Sequence, residues 1–221
     1  MASYFNLNLD TLAPSGVSVT INDGAQYASS REVTLKIATS DSQPSGYQMK
    51  IWGVEGAELE SSAKWETFST TKSVTLADGD GLKTVYVKVR DDVWNESAQA
   101  SDTITLNTAV PVVTISGPDV AKISKVAEKN VSSFTFRSDV KIVEWKVMVV
   151  QSNSATEGTG TNKQIPTDGG STNMTGSALT EAETPVSCTI YGADLESASS
   201  GDGVKIVKVF VKSESGIWSV A

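Results

Sequence analysis

The stretch 79-GDGLKTVYVKVRDDVWNES-97 recurs without a gap as 201-GDGVKIVKVFVKSESGIWS-219. Gly79, Asp80, Gly81, Lys83, Val85, Val87, Val89 and Ser97 reappear as Gly201, Asp202, Gly203, Lys205, Val207, Val209, Val211 and Ser219. Each copy is a Gly-Asp-Gly turn feeding a valine-rich run whose apolar residues alternate with period two, the signature of a half-buried strand. A repeat spaced by about a hundred residues indicates tandem domains, because solenoid repeats are ~20–50 residues long.

The same alternation extends outward from both copies. Val33, Leu35 and Ile37 face one way in "REVTLKIAT" while Thr34 and Lys36 face the other, and "SGYQMKIWG" alternates Tyr47, Met49 and Ile51 with Gln48, Lys50 and Trp52. Upstream of the second copy, "VEWKVMVVQ" sets Trp145, Val147 and Val149 opposite Tyr47, Met49 and Ile51. β-Branched residues fill these runs, Gly, Asn, Asp, Ser and Pro punctuate them, and no stretch of twelve residues carries a helical apolar stripe. The expected fold is all-β: two tandem antiparallel β-sandwiches, for which 221 residues are enough. The boundary falls at Asn107–Pro111, where Pro111 gives a short stiff hinge. The expected domains are 14–108 and 109–221, preceded by a strand or arm over 1–13.

The first repeat ends in "AQASDTITLNTAVP", whose Ile104 and Leu106 alternate as a closing strand would. The second reaches the same point at "SGIWS" with no closing strand after it, and the opening "YFNLNLDTLAP" (4–14) fits that place. Leu7 and Leu9 match Ile104 and Leu106, Thr11 matches Thr108, and Pro14 matches Pro111. Three arrangements remain open. The segment is the first strand of domain one or a loose arm; it folds back within its own chain; or it is donated to another copy, strand addition being a known recognition mode. For the last, the assembly residues are Phe5, Leu7 and Leu9 against the edge carrying Val207, Val209 and Val211.

A Gly/Ser/Thr/Asn-rich segment, 151–185, interrupts the second repeat. It has few apolar residues and is expected to be an exposed, mobile insertion, with Asn153, Thr159, Asn162 and Asn173 as partner-contact candidates. The plain alternative is a solvated loop without a partner.

Little in the residues points to catalysis or cofactors. Histidine is absent, which removes the usual neutral-pH base, the commonest metal ligand and any Ser–His–Asp or Cys–His arrangement. "DGDG" (78–81) hints at a calcium loop, but the spacing and distal Glu of such loops are missing and Asp-Gly is ordinary turn chemistry. Asp91 and Asp92 are adjacent, so their side chains diverge and a surface turn is expected. Trp52, Trp65, Trp94, Trp145 and Trp218 could floor a carbohydrate site, although sandwich cores also use tryptophan heavily. The single cysteine, Cys188, reads as a small buried strand residue. No catalytic, cofactor or metal residues are assigned, and a non-enzymatic protein is expected. A net charge of −8 argues against nucleic acid, no apolar run could span a bilayer, and no secretion signal is visible at the N-terminus.

The pieces "TVYVKVRDDVWNES", "SDTITLNTAVP" and "LDTLAPSGVSVTINDGAQYASSREVTLKI" resemble bacterial and phage immunoglobulin-like repeats. In those, a "VYVKFRDxxGNxS" strand is followed by "SDTITLDTTAP" and then "VTINxG". The resemblance covers most of 4–111 and the second repeat more loosely, with Trp94 standing where the pattern has Gly. It implies two immunoglobulin-like sandwiches of the kind carried on tailed-phage capsids, tails and fibres. The implied role is an accessory virion protein, assembled in the host cytoplasm, that reinforces the particle or adheres weakly. The implied partners are other virion proteins, copies of itself or a host-surface glycan. A bacterial cell-surface adhesin or carbohydrate-binding module is the alternative.

Overall fold

The computed structural model describes residues 4–41 and 45–220, and the chain divides into two compact units, Met1–Thr108 and Ala109–Ala221. Both are antiparallel β-sandwiches of immunoglobulin-like type. The first contains β1 (Ser18–Ile21), β2 (Tyr27–Ala28), β3 (Glu32–Ala38), β4 (Gln48–Trp52), β5 (Trp65–Thr67), β6 (Thr71–Thr75), β7 (Gly81–Arg90) and β8 (Ala100–Leu106). One sheet has the order β1-β3-β6 and the other β2-β8-β7-β4-β5, in which the short β2 runs parallel to β8. Alternation aims Val19, Ile21, Val33, Leu35 and Ile37 from one sheet at Met49, Ile51, Val85, Val87, Val89, Ile104 and Leu106 from the other, all buried in one core. Each such side chain contributes about 1.5–3 kcal/mol by leaving water.

The second unit contains β9 (Val113–Ser116), β10 (Val131–Ser138), β11 (Ile142–Val150), β12 (Lys163–Gln164), β13 (Thr175–Gly176), β14 (Val186–Tyr191), α1 (Gly192–Ala198) and β15 (Ile206–Ser213). Its sheets are β14-β10-β9 and a group centred on β11, which pairs with β12, β13 and β15. Phe134, Phe136, Trp145, Val147, Val149, Cys188, Ile190, Val209 and Val211 fill the space between them. The seven-residue α1 has no counterpart in the sequence-based expectation. Its Asp194, 2% exposed, accepts backbone N–H bonds from Gly169 (2.7 Å) and Ser171 (2.9 Å).

Strand register corrects the upstream alignment by two residues. Ile51 lies opposite Val87 and Met49 opposite Val89, whereas Val147 lies opposite Val209 and Trp145 opposite Val211. Met49 and Ile51 are therefore the counterparts of Trp145 and Val147. A two-residue slip preserves the inward face, so alternation alone could not exclude it.

Segment 151–185 is largely exposed, as its composition predicts, but it is anchored to the second unit rather than loose. It contributes β12 and β13, and it buries Ala155, Ile165, Ser171 and Met174. The reason is Trp145. The indole lies against β13 so closely that a Cβ added to Gly176 would sit 2.0 Å from its ring, and its Nε1 donates to the Asn173 carbonyl at 3.1 Å. The insertion is the lid over a large core side chain. Lys146, further along β11, holds it a second time through an ion pair with Glu157 (2.5 Å).

Candidate functional site

The motif that defines both repeats builds one closed turn twice. Val89 N–H donates to Ser97 Oγ (3.0 Å) and Ser97 N–H returns to the Val89 carbonyl (2.8 Å); Val211 and Ser219 repeat this at 3.1 and 2.8 Å. The residue after Val89 and Arg90 is Asp91, which is buried rather than on a surface turn. Its Oδ1 accepts from the N–H groups of Val93 (3.0 Å) and Asn95 (2.8 Å), and its Oδ2 accepts from Asn95 Nδ2 (2.8 Å). Burial pushes the Asp91 carboxyl up, but these hydrogen bonds outweigh it and hold the group below the usual carboxylate value. At the same place in the second unit Ser213 Oγ accepts from Ile217 N–H (3.2 Å).

Trp94 occupies the position of Gly216, and both sit in the left-handed region, at φ 72° and 86°. The turn is thus conformationally the same in both units, at a cost of about 1–2 kcal/mol for the tryptophan. Trp94 is also 67% exposed. The Arg90 guanidinium lies between it (4.5 Å) and Trp65 (4.4 Å), with Lys50 4.7 Å from the Trp65 ring and Gln48 Oε1 accepting from Arg90 Nε at 2.8 Å. The remaining tryptophans pack. Trp52 is buried and stacked on Tyr86 at 5.4 Å, Trp145 is in the core, and Trp218 lies partly buried beneath Lys146 and Lys212.

The insertion residues singled out from the sequence mostly hold the insertion together. Asn162 Nδ2 donates to the carbonyls of Thr156 (2.7 Å) and Glu157 (3.2 Å), while Thr159 Oγ1 accepts from Thr156 N–H at 3.1 Å. Asn173 Nδ2 donates to the Ser187 carbonyl at 2.6 Å. The Asn153 carbonyl accepts from Lys208 Nζ (2.9 Å), an ammonium that burial holds below its usual value.

The assembly residues divide into three exposed and three inward-facing ones. Residues 4–13 form no strand, and Tyr4, Phe5, Leu7, Leu9 and Leu12 are 79–91% exposed. The arm's contacts to the turn are long ones, from Asn95 Nδ2 to the carbonyls of Asp10 (3.4 Å) and Leu12 (3.5 Å). Val209 and Val211 are buried and Val207 partly buried, all in the core of the second unit. Val211 is not a free edge residue, because Ser219 takes both its N–H and its carbonyl. Among the described residues, the ladder partner of β15 is β11, plus a single bridge from Lys212 to Trp218.

Burial pushes the Cys188 thiol up to about 12, which leaves it protonated at neutral pH. Among the described residues no group of three or more His, Cys, Asp or Glu is placed to hold a metal ion, and no helix is long and apolar enough to cross a membrane. In "DGDG", Asp80 caps a turn. Its carboxylate accepts from Thr108 N–H (3.1 Å) and Thr108 Oγ1 (2.9 Å).

No protein-family model and no curated protein sequence matches the chain. Among solved structures it is similar to the fibronectin(III)-like modules of Clostridium thermocellum CbhA, with 11% identity, a TM-score of 0.45, and 91% of this chain and 89% of that one covered. It is also similar to the FN1–FN3 domains of chicken CNTN1 (13%, TM-score 0.37, 95% and 62% covered) and to the D00–D0 domain of Intimin (13%, TM-score 0.30, 92% and 96% covered). Likeness at this level says nothing of what the chain does.

Proposed function

We propose that the chain is a non-catalytic structural or adhesive module, and more specifically an accessory component of a bacteriophage virion that reinforces the particle or gives it weak surface adhesion. The observation that carries this reading is the use made of the repeat motif. Asp91, Ser97 and the alternating valines, together with their counterparts, are engaged in closing turns and filling cores. A motif of that kind defines a building block rather than a reaction site. Its resemblance to repeats on phage capsids, tails and fibres supplies the virion context. The test is an inventory by mass spectrometry of particles purified from the phage whose genome encodes the chain. Stoichiometric presence is expected, and its absence from intact particles overturns the reading.

One observation favours a second reading, a surface or carbohydrate-binding module. Trp94 is exposed, conformationally strained and aligned with Arg90 and Trp65, and strain of this kind gathers at contact sites. Glycan binding by the isolated protein, lost in Trp94→Ala and without virion association, would select it.

A further inference from the structure

The two units can be compared strand by strand, and the comparison exposes a strand-shaped gap in the second. In the first unit β8 lies along β7, with Gly81 opposite Leu106, Lys83 opposite Ile104 and Val85 opposite Asp102. In the second, the counterparts Gly203–Val207 have no strand on that side among the described residues, and β15 begins only at Ile206. Val85 is fully buried, whereas its counterpart Val207 is only partly so. The neighbouring sheet shows the same deficit. Ile21 pairs with Leu35 and Ile115 with Phe136, so the two isoleucines hold equivalent inward positions, yet Ile21 is 0% and Ile115 45% exposed. Asp80 is engaged by Thr108 just beyond β8, while Asp202 has no hydrogen-bond or ion-pair partner among the described residues.

We propose that this gap is filled by the arm Tyr4–Thr11 of a second copy, added to the β15 edge as an antiparallel strand. Transferring the β7–β8 register places Leu9 opposite Gly203, Leu7 opposite Lys205 and Phe5 opposite Val207. Leu7 and Leu9 then take the inward positions of Ile104 and Leu106, both about 1% exposed in the first unit. Thr11 takes the position of Thr108 and meets Asp202. Phe5 stands where Asp102 does, and Asp102 reaches the Ile21 backbone with its carboxylate (2.7 Å). The aromatic ring at that position therefore lies over the exposed Ile115, an apolar cover for an apolar face. Four features agree on one register: an exposed arm alternating at the right period, an unpaired edge, two underburied core residues and an idle aspartate. Donor and acceptor are different surfaces, so copies link through reciprocal exchange in a two-fold pair, through a larger ring or through an open chain.

The purified chain tests this arrangement independently of the virion reading. Molecular mass in solution is followed through a dilution series for the wild type, an arm variant (Leu7→Lys with Leu9→Lys) and an edge variant (Asp202→Ala with Lys205→Pro). All four positions lie outside the strands and cores, and circular dichroism checks that both variants fold. The wild type is expected to exceed its 23.3 kDa monomer mass at least twofold as concentration rises, and each variant alone to stay monomeric. Mixed together, the two variants should form a 1:1 heterodimer, because each retains the half that the other lacks. Thr11→Ala should weaken wild-type assembly about tenfold to a hundredfold, the loss of one hydrogen bond to a carboxylate. A wild type that is monomeric throughout, an arm variant that assembles like the wild type, or a variant mixture that remains monomeric overturns the proposal.

Discussion

Lys88 in the first unit and Phe210 in the second occupy the same place in the gapless repeat, on the outer face of the same strand. Lys88 reaches Glu60 at 2.8 Å in a half-exposed ion pair, and Trp52 and Tyr86 stack nearby on that face. Phe210 is fully buried among Val150 and Ala155, with Met148, Ile206 and Trp218 packed around them. One sheet thus shows water a charged face, while its sister carries a second small core beneath the insertion. Identical strand signatures fix the inward side chains and leave the outer face free to become either surface or interior. The insertion serves this face as well as Trp145, its Ala155 helping to cover Phe210.

Breaking the cover should have the largest effect. Phe210→Ala removes a fully buried ring and should cost about 3–5 kcal/mol, read as a lower denaturation midpoint, with hydrogen exchange accelerated in β11 and β15 but not in β7. Gly176→Val should follow at about 1–3 kcal/mol or more, because its side chain collides with the Trp145 ring, and Trp145 fluorescence should report the displacement.

The acidic anchors sharpen the comparison differently, because each unit has one. Asp91 and Asp194 are both held below the ordinary carboxylate value, burial opposing the shift and hydrogen bonds to the charged form prevailing. A depressed folded-state value means that their stabilisation is complete above the unfolded value of about 4 and is lost as pH falls through the folded one. Stability should therefore decline on acidification below about pH 4, and raising the pH to 9 should leave these two contributions unchanged. Asp194→Asn should cost about 1.5–3 kcal/mol at pH 7 and flatten the acid limb, loosening the insertion at Gly169–Ser171.

Ser97→Ala and Ser219→Ala delete the same hydrogen bond in the two units, so each should cost about 1–2 kcal/mol, with the two losses agreeing. A clear inequality would show that the twin turns are only superficially alike. The smallest effect belongs to Lys88→Ala, about 0–1 kcal/mol by chemical denaturation, which is the surface-pair counterpart of Phe210→Ala.

Period-two alternation and Gly-Asp-Gly punctuation make the long strands, the sandwich class and the repeat legible in the sequence. Alternation cannot distinguish registers two residues apart, so the sequence pairs Trp145 with Tyr47 as readily as with Met49, its counterpart in the fold. The insertion's anchoring is hidden in the sequence because Ile165 and Met174 are isolated apolar residues in a polar stretch, without a period to mark them as anchors. A signal for its lid did exist in β15, where Ile206 and Phe210 make "IVKVFVKS" apolar on both faces, as a strand covered on both sides must be. The charge of Asp91 suggests a surface position and hides its role, which only the converging N–H groups of Val93 and Asn95 reveal. The strained backbone at Trp94 was foreshadowed by the glycine its pattern calls for. The place proposed for the arm follows from its similarity to β8, since nothing within the arm defines a partner.

The buried Cys188 has a practical consequence. With its sulfur enclosed and its proton retained at neutral pH, the folded chain is expected to resist maleimides and iodoacetamide. A cysteine engineered anywhere on the exterior would therefore be the sole reactive handle, so dyes or spin labels can be attached to either sandwich without first removing the native thiol.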